Sequence, residues 1–133
     1  MKVKINDLWK YRGDTIILNE KSTLVNEYLR PGVYTIVNKK DYGISIYNLA
    51  TGESDLIDEW DENDEVEILI EAPEVKVYNL IQALVKEIIN LSDEPFMHEK
   101  DIEFIIKEIE ILRKTQRVLN SDSKDPNHDE NSN

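Results

Sequence analysis

The sequence predicts an α+β protein: a small antiparallel β-barrel or bent sheet over residues 1–72, an antiparallel helical hairpin over 73–120, and a disordered acidic tail over 121–133. Three observations predict it. Apolar residues recur with period 2 in short segments up to Glu71. They recur with period 3.6 from Val75 to Leu119. From Ser121 onward no apolar residue occurs at all.

The strands follow in order. Lys2–Leu8 alternates loosely, with Val3 and Ile5 on one face. Arg12-Gly13-Asp14 reads as a turn before the apolar run Thr15–Leu18. As a cell-adhesion tripeptide it is a chance match. Ser22–Leu29 fits either a strand or a short helix. "RPGVYTIVN" is a Pro-Gly turn followed by a β-branched and aromatic run, and "KKDYG" is the next turn. "ISIYNL" alternates, "ATGE" turns, and "SDLID" is a short strand. In "EVEILIE" the apolar Val66, Ile68 and Ile70 oppose Glu65, Glu67 and Glu71. Strands so short and closely spaced form a meander that curls into a small barrel or bends strongly.

At Ala72-Pro73 the period changes. Val77, Leu80, Ile81, Leu84, Val85, Ile88 and Leu91 make a wide helical stripe. "LSDEP" ends that helix, and a second runs from about His98 to Leu119. Its stripe is Ile102, Ile105, Ile106, Ile109 and Leu112, with Phe104 and Ile111 beside it. Two long helices and a short loop predict an αα-hairpin. One partner helix does not cover so wide a stripe. It packs on the hairpin's own sheet or, as the next alternative, joins two hairpins in a homodimer.

Charge narrows the function. The formal net charge is -12. Residues 1–40 carry eight basic and four acidic groups, and residues 41–75 carry twelve acidic and no basic ones. Such a segment repels phosphates, so direct contact with nucleic acid or an anionic membrane is disfavoured. There is no cysteine, which excludes disulfides, thiolate metal sites and a cysteine nucleophile and fits a cytoplasmic setting. No run is apolar enough for a membrane span, and the first residues lack a secretory h-region.

The candidate site is the acidic segment, with Asp55, Asp58, Glu59, Asp61, Glu62, Asp64, Glu65 and Glu67 surrounding Trp60. Its simplest reading is a solvated face that aids solubility. A calcium loop is disfavoured because "DEWDENDEVEIL" lacks the glycine of an EF-hand turn. The sharper reading is a decoy. Carboxylates on alternate strand positions lie about 7 Å apart. Such an array presents a phosphate-like field to a basic, nucleic-acid-binding surface of another protein. Trp60 then either anchors that interface or folds back onto the sheet.

Catalysis has little to rest on. His98 lies at a helix start and His128 in the tail, and neither a nucleophile elbow nor a phosphate loop occurs. The expectation is a non-enzymatic protein without cofactor or metal. Trp9 with Tyr11, and Tyr28 with Tyr34, read as core or hairpin partners.

"LRPGVYTIVNKKDYGISIYNLATGE", about a fifth of the chain, resembles the middle strands of small SH3-like barrels, where a Pro-Gly turn precedes a Tyr-containing strand. The acidity, missing cysteine and Ile/Lys/Asn richness are also similar to small phage and mobile-element proteins, many of which bind and inhibit host proteins. This resemblance implies a protein-binding inhibitor or modulator, with a host protein as partner and the hairpin stripe for dimerisation. The alternative is an assembly module that oligomerises through the hairpin and uses its acidic face only for solubility.

Overall fold

The period-2 segments form β1 (Lys2–Lys4), β2 (Thr15–Leu18), β3 (Gly32–Lys40), β4 (Gly43–Asn48), β5 (Ser54–Ile57) and β6 (Glu65–Leu69). The period-3.6 segments form α1 (Pro73–Leu91) and α2 (Glu99–Ser123). The structure, a computed structural model, describes residues 1–123. Of the expected tail, residues 121–123 belong to α2, and the rest, residues 124–133, lies outside the described residues. The strands make one antiparallel sheet in the order β1-β6-β2-β3-β4-β5. Its edges, β1 and β5, do not pair, so the sheet is open and the barrel alternative is not adopted.

Strand alternation gives the sheet two faces, each with its own core. On one face Ile16, Tyr34, Ile36, Ile44, Ile46, Ile57, Val66 and Ile68 are buried. They are covered by a 3-10 helix, Ile5–Tyr11, and by Leu24 and Leu29 from the connection between β2 and β3. On the other face Val37 meets Ala83 and Leu84 of α1 and Ile105 of α2. Val37 lies on that face by alternation from Tyr34 and Ile36, and the β3–β4 register slips beside it, between Ile36 and Asn38.

Three local expectations are corrected. Lys2–Leu8 is a strand only to Lys4; Ile5 and Leu8, three apart, then point the same way from the 3-10 helix. Ser22–Leu29 is neither strand nor helix but a series of turns, with Asn26 Oδ1 accepting from the Tyr28 and Leu29 amides. Trp9 and Tyr28 are exposed at 54% and 83%, whereas Tyr34 is fully buried and its hydroxyl donates to the Arg30 carbonyl.

Arg12-Gly13-Asp14 ties sheet to helices. Arg12 donates through Nε to the Val37 carbonyl (2.7 Å) and pairs with Glu108 of α2. Gly13, at φ +90°, sits so close to α1 that a Cβ would come within 2.9 Å of Lys76 Cβ. Asp14 is 1% exposed; its Oδ1 accepts from the Glu71 amide at 2.9 Å and lies 3.2 Å from Lys76 Nζ. A tripeptide locked in this way is unsuited to cell adhesion. A second clamp, Lys40 with Glu87, joins the far end of β3 to α1. Burial alone would lower the Lys40 pKa, but the hydrogen bond and charge of Glu87 outweigh it and the pKa is raised.

Candidate functional site: an acidic crossover

β5 is an edge strand, yet β6 lies between β1 and β2. Residues 58–64 must therefore carry the chain across the sheet. They include most of the acidic segment, and the structure divides its carboxylates into three groups.

Glu65 and Glu67 face cations across the sheet. They stand directly opposite Lys4 and Lys2 on β1, and the N-terminal amine lies 2.9 Å from Glu67 Oε1. Opposite charges facing each other across strands stabilise the pairing. The sequence segment has no cation of its own; its counter-charges come from the other end of the sheet.

Asp64 serves the fold, and Asp55 is turned into it. Asp64 closes the end of the crossover: Oδ2 accepts from the Asp61 amide (2.8 Å), and its carbonyl accepts from the Ile5 amide (3.0 Å). Thr23 Oγ1 adds a longer bond to Asp64 Oδ1 at 3.3 Å. Asp55 pairs with Ile46, which turns its carboxylate toward the Tyr34 side of the sheet. Burial, and then the charge of Glu53, raise the Asp55 pKa, and Asp55 in turn adds to the burial that raises the Tyr34 pKa.

Asp58, Glu59, Asp61 and Glu62 remain. All four are exposed, and no ion pair to them occurs among the described residues. Trp60 holds the loop in their midst. Its ring packs against the core beneath, and its Nε1 donates to Asn6 Oδ1 at 2.7 Å. The indole therefore folds back onto the sheet, half-buried. That gives the loop a fixed point between two pairs of carboxylates. Asp58 and Glu59 also border a groove of ≈ 1360 Å³ between β5 and α2, whose rim includes the exposed rings of Tyr28, Tyr42 and Phe104.

The hairpin residues expected at an oligomer contact divide similarly. Ile105 is 4% exposed, and Ile109 and Leu112 pack with it against α1 and Val37. Their apolar surface serves the protein's own core. Ile102 is half-buried and Ile106 is 43% exposed. Val85, read as part of the inward stripe of α1, faces outward instead. Sequence reasoning missed Lys2, Lys4 and Asn6, which set the charge and pose of the acidic segment from about sixty residues away. Their signal is a strand register, which composition does not carry.

His98 is half-buried with Nδ1 3.9 Å from Asp101, and His128 lies outside the described residues. Among the described residues no group of three or more His, Asp or Glu is placed to hold a metal ion, and no helix is long and apolar enough to cross a membrane. No protein-family model, curated protein or solved structure matches the chain at a significant level.

Proposed function

We propose that the chain is a non-enzymatic protein-binding module whose crossover loop occupies a basic surface of another protein, one that ordinarily holds nucleic acid. The observation that carries this reading is the group of four exposed, unpaired carboxylates, Asp58, Glu59, Asp61 and Glu62, on one loop pinned by Trp60. Anchoring matters because binding through a floppy acidic loop would lose affinity to ordering entropy. The field of the loop is undiluted by cations of its own segment, which favours fast encounter with a basic groove. Glu65 and Glu67 contribute less, because Lys4 and Lys2 stand opposite them and the N-terminal amine pairs with Glu67, and Asp64 acts through the shape of the loop.

The test uses Asp58→Asn, Glu59→Gln, Asp61→Asn and Glu62→Gln together, which keeps shape and removes charge. Immobilised wild type and variant are compared as baits in a bacterial lysate at low and high salt. The reading expects a nucleic-acid-binding protein retained by the wild type alone, released by salt and displaced by added DNA. Identical retention by both baits would sink it. A second reading, an assembly module, is favoured by a separate observation: α1 leaves Val75, Tyr78, Val85 and Ile89 exposed.

A further inference from the structure

α1 is apolar on more than its packed side. Its buried residues are Val77, Leu80, Ile81, Ala83 and Leu84 together with Asn79. Yet Val75, Tyr78, Val85 and Ile89 are 40%, 55%, 36% and 57% exposed. With Gln82, they follow the 3-4 alternation of a helix-packing seam and lie within about 80° of arc. Helices apolar all round are normally covered. The outward side of α2 continues this surface with Ile106, 43% exposed.

The charges flanking that surface identify what covers it. On α2 the acidic Glu99 and Glu103 lie near the start, a third carboxylate, Glu110, lies past the middle, and the basic Arg113 and Arg117 lie toward the end. Helical periodicity puts Glu99, Glu103 and Arg117 on the side facing away from Ile105 and Glu108, which point to the sheet, with Arg113 at its flank. All four are exposed, and no ion pair to them occurs among the described residues. The helices are joined by residues 92–98, so positions equidistant from the loop lie at one height and Gln82 is level with Glu108. A two-fold axis across the outer face at this level lays α1 antiparallel on its copy, Val75 opposite Ile89 and Tyr78 opposite Val85. The same axis sets Glu99 opposite Arg117, and Glu103 opposite Arg113, on α2 of the second copy. One operation therefore satisfies both the apolar seam and the charges, as an isologous interface requires.

We infer that the outer face of the hairpin is a homodimer interface, with a second copy of this chain as its occupant. The seam comes from α1, and α2 sets the register through its acidic start and basic end. This surface differs from the Ile105, Ile109 and Leu112 stripe, which is spent inside the protein. It is also independent of the acidic crossover, so either proposal can fail alone.

The test is sedimentation velocity on the full chain at concentrations up to about 200 µM. The wild type is expected to dimerise. Val85→Asp with Ile89→Asp, or Tyr78→Asp alone, should shift it to monomer while keeping a cooperative melt. The decisive pair is a charge exchange. Glu99→Arg with Glu103→Arg, and separately Arg113→Glu with Arg117→Glu, should each weaken self-association roughly tenfold. Mixed one to one they should associate again, because every contact is then opposite in sign. A wild type that stays monomeric over the whole range overturns the proposal. So do exchange variants that dimerise as tightly as the wild type, and so does a mixture that fails to recover.

Discussion

At the scale of single residues, two buried or half-buried aspartates act in opposite senses. Asp14 is fixed by the Glu71 amide and by Lys76, at the point where β2 starts and α1 follows β6. Removing its carboxylate strands a buried amide and an ammonium group. Asp14→Ala is expected to cost about 2–4 kcal/mol, read from urea melts. Among the described residues Asp55 has no ion pair, and burial followed by Glu53 raises its pKa. A folded-state pKa above the unfolded value means that ionisation destabilises the fold once the pH passes the ordinary aspartate range. Asp55→Asn should therefore raise the melting temperature at neutral pH. The difference should vanish below about pH 3, where the wild-type side chain is also neutral in both states. An Asp55→Asn variant melting below the wild type at neutral pH would contradict this account.

At the scale of elements, the hairpin is held to the sheet by a small core and two clamps. Leu84 is fully buried where α1, α2 and the bulged Val37 meet. Leu84→Ala should cost about 2–5 kcal/mol in the same urea melts, with the loss set by how far α2 can settle. The elements themselves were legible in the sequence wherever a period persisted. β3, β4 and β6 alternate cleanly, and α1 and α2 sustain their stripes for several turns. The 3-10 helix escaped because Val3 and Ile5 extend a strand pattern, and the contrary signal is one spacing, Ile5 to Leu8. The outward α1 seam escaped for a related reason. Val85 fits the inward stripe by period, and only the position of the sheet assigns it to the other side. The candidate site was legible as composition and not as geometry. That Glu65 and Glu67 are answered by Lys4 and Lys2 depends on β1 joining β6, a pairing between chain regions with no shared pattern.

At the scale of the whole molecule, charge opposes compactness. A formal charge of -12 on 133 residues repels itself, and the four free carboxylates of the crossover concentrate the effect. Added salt should raise the melting temperature steadily up to about 0.5 M, as screening shortens the reach of that repulsion. Neutralising Asp58, Glu59, Asp61 and Glu62 should both raise the melting temperature at low salt and flatten the salt dependence. A salt response equal to that of the wild type would mean that the loop adds nothing to the repulsion.

The interior position of β6 also bears on how the chain is made. Four strands, β2 to β5, can be laid down largely with their sequence neighbours, but β2 and β1 both await β6 as their common neighbour. The first of these six strands in chain order is thus among the last of them to find its place. Until residue 69 has emerged, one side of β2 stays open and the amino end has nothing to hold. A nascent chain stalled before that point would carry an unsealed flank, and its two lysines would be without the glutamates they are destined to meet. Both β1 and β2 find their neighbour in the same strand, which makes β6 the keystone of this half of the sheet.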